Sequence, residues 1–202
     1  MKKMELACLM GMAGALTIAA FGQSAQTWHG LEEDVLRLHI LANSDSAEDQ
    51  LLKYAVRDAV LEEGSVYFEN LSSCADAKAA AAGCLPQLEE IARRTVAEQG
   101  YDYTVTAELA ETVFDERVYE DVTMPAGVYD AVRICIGEAA GQNWWCVMYP
   151  PLCVPAASEE EDEILEAYFT DEEEEMMKQP EKFRYRLKCV EWLEKLWKRI
   201  CE

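Results

Sequence analysis

The chain has 202 residues, half of them hydrophobic, and a formal net charge of −21. This length is enough for one domain with a hydrophobic core, with or without appended segments. Much of the charge lies in residues 159–175, which hold eleven acids and no base. Because the remainder is acidic as well, it repels phosphate backbones, and nucleic-acid binding is excluded as an expected function.

The first 25 residues have the pattern of a secretory signal peptide. Lys2 and Lys3 form a short positive segment, and the sixteen residues 6–21 are uncharged and mostly apolar. The sequence Ala20-Phe21-Gly22 then offers small residues at the −3 and −1 positions of a cleavage site. An uncleaved anchor is the alternative, although a membrane-spanning helix needs about 20 residues. We therefore expect residues 1–25 to be a signal peptide or N-terminal anchor, and the rest to be exported.

Export makes disulfides permissible. Eight cysteines are present, and Cys8 lies in the signal. The seven that remain are an odd number, so at least one stays free or pairs between chains. The sequence has no C-x-x-C motif, and two histidines are too few for a Cys/His zinc site. We expect neither a metal nor a cofactor.

The first predicted elements are a strand and a helix. Residues 36–41 alternate in polarity as a strand does. Ser46, with Asp49 three residues later, forms a variant of the capping box, and Gly64 ends the helix that follows. The polar side of this helix is predicted to carry Glu48, Lys53, Arg57 and Glu62.

A second helix is predicted over residues 74–99. Ser73 is suited to cap it, and Gly100 is a good residue to follow its end. Gly83 and Pro86 interrupt the pattern, so we expect a kink or two shorter helices.

From Tyr101 onward the period changes to two. Strands are predicted over residues 101–109, 113–122 and 128–136, with a turn at residues 124–127. The order of elements predicts an α+β fold: a mixed or antiparallel sheet of about four strands with two helices on one face, plus a C-terminal amphipathic helix. This α+β domain is assigned to residues 31–155.

The end of the chain is predicted to consist of an acidic linker and a helix. Residues 156–178 have no EF-hand spacing, so they indicate a solvated linker rather than a calcium site. Residues 179–202 have apolar side chains at helical spacing and many bases. Such a helix docks on its own domain or lies on an anionic lipid surface, and both alternatives stay open.

The tryptophan segment, residues 143–153, contains two tryptophans, two prolines and two cysteines. It fits neither the helical nor the strand period, so we predict an ordered loop. A Cys146–Cys153 bridge would stabilise so short a loop by about 2.5 kcal/mol. The loop is either a structural corner or a contact surface for a partner. Because neighbouring side chains of an extended segment alternate, one of Trp144 and Trp145 is expected to fill the core and the other to be at least partly exposed.

His39 is the one candidate for catalysis. It could act as a base beside Asp45, with Ser44 or Ser46 as the nucleophile, which defines a secreted hydrolase as the alternative function. Nothing in the sequence matches a nucleophile elbow or a known triad order. The simpler interpretation is a strand histidine near the protein surface.

Two stretches together resemble the stage II sporulation protein R family. The first is Leu36-Arg37-Leu38-His39-Ile40-Leu41-Ala42-Asn43-Ser44-Asp45-Ser46, which continues through residues 49–50 and 56–60. The second is Gly141 with Asn143-Trp144-Trp145-Cys146 and Pro150-Pro151-Leu152-Cys153. Residues 125–129 and 190–193 are also similar. The acidic run and the tail cysteines depart from the family pattern.

The resemblance implies a non-enzymatic signal in a spore-forming Gram-positive bacterium. Such a protein is secreted from the forespore into the space between the forespore and mother-cell membranes. There it activates a membrane-embedded aspartic protease of the mother cell, which processes a pro-sigma factor. The partner-binding residues are then expected within the two motifs: Trp144, Trp145, Pro150, Pro151, His39, Asn43, Ser44 and Asp45.

Overall fold

The computed structural model describes residue 12 and residues 26–119, 122–150 and 167–180. The predictions for the signal segment, for Pro151 and Cys153, and for most of the C-terminal helix lie outside these residues. The chain divides into two compact units. The larger comprises Glu32–Asp115 and Ala126–Tyr168, and the smaller comprises Met1–Leu31, Glu116–Pro125 and Phe169–Glu202.

The larger unit contains a mixed four-stranded sheet. Its strands are β1 (Leu36–Leu41), β2 (Val105–Phe114), β5 (Gly127–Ile136) and β6 (Asn143–Tyr149). They lie in the order β2-β5-β1-β6. Strand β1 is parallel to β5 and antiparallel to β6, and β2 is antiparallel to β5. Every residue of β1 is buried, so this predicted strand is the centre of the unit. The predicted α+β class with a mixed sheet of about four strands is confirmed.

Two α-helices connect β1 to β2. Helix α1 is Ala47–Gly64, and Ser46 caps it by accepting the N–H of Asp49, as the sequence predicts. A 3-10 turn over Ser65–Phe68 leads to helix α2, Cys74–Glu98, which Ser73 caps. Gly100 follows it with a left-handed φ of 86°, a conformation that glycine adopts without steric cost.

Helix α2 is continuous from Cys74 to Glu98, so the predicted alternative of two shorter helices is wrong, while the kink at Gly83 and Pro86 stays a prediction. A proline removes only one hydrogen bond from the helix. The buried side runs past this point without a break, from Ala77 and Ala81 to Leu88. Burial of that side on both sides of Pro86 favours one helix over two.

Both helices contact the sheet. The Tyr54 ring of α1 lies 5.7 Å from the Trp144 ring, and Nζ of Lys78 in α2 is 2.8 Å from Oδ2 of Asp130. Asp130 pairs with Leu36 of β1 and Trp144 pairs with Ile40, which is four residues further along the same strand. They therefore point to the same face of the sheet, since side chains alternate along a strand.

Two of the predicted β elements are wrong. The alternating residues from 105 onward do not stop at 109, because β2 continues to Phe114 and pairs with all ten residues of β5. A strand over residues 113–122 does not form. Residues 117–119 and 122–124 instead form a short hairpin, β3 (Arg117–Tyr119) with β4 (Val122–Met124), in the smaller unit.

The prediction of a loop for the tryptophan segment is wrong for residues 143–149, which form β6. A strand that is buried on both faces carries a continuous apolar run instead of an alternating one. Residues 146–149 form such a run: all four are buried, and their sequence therefore shows no period of two. Pairing with β1 makes the segment a strand although its sequence does not alternate in polarity.

Helix α3, Asp171–Lys178, lies in the smaller unit within the predicted acidic linker. Thr170 and Glu173 form a reciprocal capping box, and the acids of the first turn suit the helix N-terminus. Met176 and Met177 are buried, so this part of the run is a packed helix rather than a solvated chain. Within the described part of the chain, no helix is long and apolar enough to cross a membrane.

Candidate functional site

The two motifs that are about a hundred residues apart in sequence lie side by side in the fold. Strands β1 and β6 are neighbours, and the segment after β1 is hydrogen-bonded to the turn before β6, residues 137–142. The Gly141 N–H donates to the Ala42 carbonyl over 2.9 Å, and the Ala140 N–H donates to the Asn43 carbonyl over 3.2 Å. The motifs therefore form one continuous piece of structure.

Asp49 holds the segment after β1 in place. Its Oδ2 accepts hydrogen bonds from Ser44 Oγ at 2.5 Å and from Asn43 Nδ2 at 2.9 Å. These bonds lower the pKa of the buried Asp49 carboxyl, the Ser44 bond most strongly. The Ser44 hydroxyl therefore has a structural hydrogen-bond partner. Ser46 Oγ accepts the N–H of Asp49 as the helix cap, so both predicted nucleophile candidates have structural partners.

The turn before β6 is held from both sides. The Gln142 N–H donates to Asp45 Oδ1 over 2.7 Å, and Lys53 Nζ donates to the Gln142 carbonyl over 3.0 Å. One residue earlier in the chain, a Cβ on Gly141 would fall on the backbone carbonyl of Ser44. The approach of the two segments thus needs glycine at this position.

Lys53 is 2% exposed, which contradicts its predicted place on the polar side of α1. Its ammonium donates to Gln50 Oε1 at 2.6 Å as well as to the Gln142 carbonyl. Burial lowers the pKa of Lys53. These hydrogen bonds offset part of the free-energy cost of removing the ammonium from water. The helical period alone could not reveal this, because the acceptor comes from a distant turn.

Trp144 belongs to an aromatic patch on the helix side of the sheet, formed by Leu51, Tyr54, Arg57 and Trp144. The Arg57 guanidinium lies 4.4 Å from the Trp144 ring centroid and 5.1 Å from that of Tyr54. Leu51 is 68% exposed and Tyr54 is 37% exposed. Since Leu51 and Tyr54 are three residues apart on α1, they lie on one side of the helix. The patch is therefore accessible to a partner.

Trp145 points to the opposite face. Its ring makes edge contacts with His39 at 5.9 Å and with Phe114 at 5.4 Å. The predicted alternation of the two tryptophans is confirmed. The expectation that one of them fills the core is wrong, because both are half-buried, whereas the partial exposure expected of the other is observed.

His39 is 6% exposed on the central strand, so the expectation of a histidine near the surface is wrong. Burial lowers its pKa to about 4. The nearby Asn143 amide favours the charged ring, but burial outweighs it, and Arg133 and Arg37 oppose the charge as well. Neither ring nitrogen has a hydrogen-bond partner among the described residues. The hydrogen bonds of Asp45, Ser44 and Ser46 are made to groups other than His39.

The remaining candidates lie at the end of β6. Pro150 is buried after a cis peptide bond from Tyr149. Cys146 is buried, and the free thiols among the described residues are those of Cys74, Cys84 and Cys135. Because Cys153 lies outside the described residues, the Cys146–Cys153 pair stays a prediction. The described residues contain no cluster of three or more His, Cys, Asp and Glu side chains placed to bind a metal.

Sequence reasoning missed Tyr54, Arg57 and Lys53 as parts of the site. A signal was present, because Tyr54 and Arg57 are three residues apart on a predicted helix and can stack. Their meeting with Trp144 depends on strand β6, which the sequence did not predict.

Comparisons with known proteins cover both motifs. The profile of the stage II sporulation protein R family matches residues 32–159, which include both motifs. The stage II sporulation protein R of Bacillus subtilis (strain 168) is 34% identical over 160 residues, covering 76% of this chain and 71% of that protein. No solved structure matches the chain. The chain belongs to the stage II sporulation protein R family, which gives it a role in sporulation.

Proposed function

We propose that this protein is a secreted, non-enzymatic signal that activates a membrane-embedded aspartic protease of the mother cell. The protease then processes a pro-sigma factor. The signal-like pattern of residues 1–25 supports export, and the family resemblance implies release from the forespore into the space between the two membranes. Membership of the sporulation family supports this proposal, as do the hydrogen bonds of Ser44 and Asp45 to groups other than His39.

The observation that carries the proposal is the aromatic patch. Tryptophan, tyrosine and arginine supply most of the energy at protein interfaces. Here the rings of Tyr54 and Trp144 make an edge contact, and the Arg57 guanidinium lies over both rings, at the meeting point of the two family motifs. Their mutual contacts fix the side chains before a partner arrives, which lowers the entropy cost of binding. We assign the protease contact to this patch.

The secreted hydrolase alternative is not favoured by the geometry. A general base must be within hydrogen-bonding reach of the proton that it takes. The Ser44 hydroxyl donates to Asp49 rather than to His39, and Asp45 accepts from the turn before β6. Replacing His39 by Ala, Asn and Gln separates the alternatives. A hydrolase loses turnover with all three, whereas a binding protein tolerates at least one polar isostere.

Three further features belong to the same proposal. The Cys146–Cys153 bridge forms in the oxidising space after export. The C-terminal helix contacts a membrane surface beside the protease. No cofactor and no nucleic acid take part.

The test is reconstitution in a non-sporulating bacterial host. The membrane protease and the pro-sigma factor are co-expressed with this chain, and cleavage of the pro-sigma factor is followed by immunoblot. We expect cleavage with the complete chain and none when residues 1–25 are deleted, because the signal then stays in the cytoplasm. Cleavage without this chain, or equal cleavage with the cytoplasmic form, would contradict the proposal.

A further inference from the structure

We propose that Asp45 and Lys53 are positioning residues that hold the turn before β6 and thereby set the place of Trp144 in the aromatic patch. The sequence suggests a contact role for Asp45 and a solvent-facing role for Lys53. In the structure both side chains instead bind the backbone of Gln142. This inference rests on the proposed function only for its link to protease activation.

The first step concerns the peptide group of Gln142. Its N–H donates to Asp45 Oδ1 and its carbonyl accepts from Lys53 Nζ. An acid on one side and an ammonium on the other thus hold one residue by two charge-assisted bonds, which are stronger than neutral ones. Gln142 is two residues before Trp144, so its backbone fixes where β6 begins.

The second step concerns the approach of the turn to the segment after β1. The Glu138 N–H donates to Asn43 Oδ1 over 3.0 Å, and the Gln50 side chain donates to the Ser44 carbonyl over 2.9 Å. Gly141 lies directly against the Ser44 backbone. Movement of the turn would break several of these bonds together, so the two charged side chains act on a cooperative unit.

The third step connects the unit to the patch. Lys53 and Tyr54 are adjacent in α1, and the Lys53 ammonium lies 4.9 Å from the Tyr54 ring centroid. The same ammonium binds the Gln142 carbonyl. Lys53 therefore joins the helix half of the patch to the strand half, and its loss lets Trp144 shift relative to Tyr54 and Arg57.

The test uses four variants of the full chain. Lys53→Met removes the ammonium and keeps the length of the stem, while Asp45→Ala removes the acceptor at an exposed position. Asp45→Asn keeps an acceptor oxygen and removes the charge. Lys78→Met is the matched control, because Lys78 also donates to a backbone carbonyl, that of Glu33 at 2.9 Å, and pairs with a carboxylate. It lies on α2, away from the turn.

Three quantities are measured on folded protein. The first is the indole N–H cross-peak of Trp144, identified by its loss in Trp144→Phe. The second is the exchange rate of the Gln142 amide hydrogen, and the third is protease activation in the reconstituted system. We expect Lys53→Met and Asp45→Ala to move the Trp144 peak, to speed exchange at Gln142 at least about tenfold, and to lower activation several-fold. Asp45→Asn keeps a weaker, neutral bond, so its exchange rate at Gln142 should lie between those of the wild type and Asp45→Ala. Lys78→Met should match the wild type.

The other outcomes separate the positioning role of Asp45 and Lys53 from the role of the aromatic patch as the protease contact. An unmoved Trp144 peak in both Lys53→Met and Asp45→Ala overturns the positioning role. Lost activation in Asp45→Asn with an unmoved peak also overturns it, because the Asp45 charge then contacts the partner. A moved peak with normal activation upholds the positioning role and counts against the patch as the protease contact. If Lys53→Met fails to fold, the exposed Asp45→Ala variant decides the test.

Discussion

Replacement of Gly141 by alanine is expected to destabilise the protein strongly for a single added methyl group. The new Cβ would overlap the backbone carbonyl of Ser44, which a change of side-chain rotamer cannot relieve. Overpacking of this kind costs about 1–3 kcal/mol, and we expect about 2–3 kcal/mol because the Ser44 segment is fixed by hydrogen bonds. For a chain of this size, the melting temperature should fall by about 5–10 °C.

The matched control is Gly83→Ala. Gly83 lies inside α2, and an added Cβ meets nothing within 4 Å. Alanine is favoured over glycine in a helix interior by about 0.5–1 kcal/mol, so this variant should melt at a higher temperature than the wild type. The assay is thermal unfolding followed by circular dichroism at 222 nm. If Gly141→Ala melts with or above the wild type, the close packing of the two motifs is wrong.

One further prediction comes from the burial of His39, and two come from the sequence. Cys146 is expected to pair with Cys153 in exported protein, and mass mapping without reduction should find the linked peptides; an unmodified Cys146 thiol there counts against the bridge. Because burial lowers the His39 pKa to about 4, the unfolded chain binds a proton between pH 6.5 and about 4 that the folded chain does not, and stability is lost as the pH falls through this window. From pH 7 to pH 5, urea denaturation should show the wild type losing about 2 kcal/mol more than His39→Gln, and equal losses would refute this. A reporter that is active only in the cytoplasm should be inactive when fused after Glu202, and full activity would exclude export.

The local elements were predictable where one segment carries its own signal. Ser46 and Asp49 mark the start of α1 by their chemistry, and Gly64 marks its end. The strand at residues 36–41 alternates clearly, although its full burial is not visible from that pattern. Thr170 and Glu173 also formed a readable capping signal, which the high charge of the surrounding run concealed.

The remaining features depend on residues that are far apart in sequence. Residues 146–149 of strand β6 lack alternation because they are buried on both faces, and pairing with β1 makes the segment a strand. The burial of Lys53 depends on a carbonyl 89 residues away. The resemblance identified the two motifs, but only their contact shows that Asn43, Ser44 and Asp45 are engaged within the fold. Their assignment as direct partner contacts stays a prediction.

The most direct test of the central claim is the affinity of this protein for the membrane protease. The purified protease is placed in lipid nanodiscs, and binding of the exported form is measured by interferometry below the melting temperature of each variant. We predict that the wild type binds and that Trp144→Ala weakens binding at least about 30-fold, as loss of an interface hot spot does. The control Val113→Ala changes an exposed residue of β2 and should bind like the wild type. Absence of wild-type binding, or equal affinity for Trp144→Ala, would contradict the account.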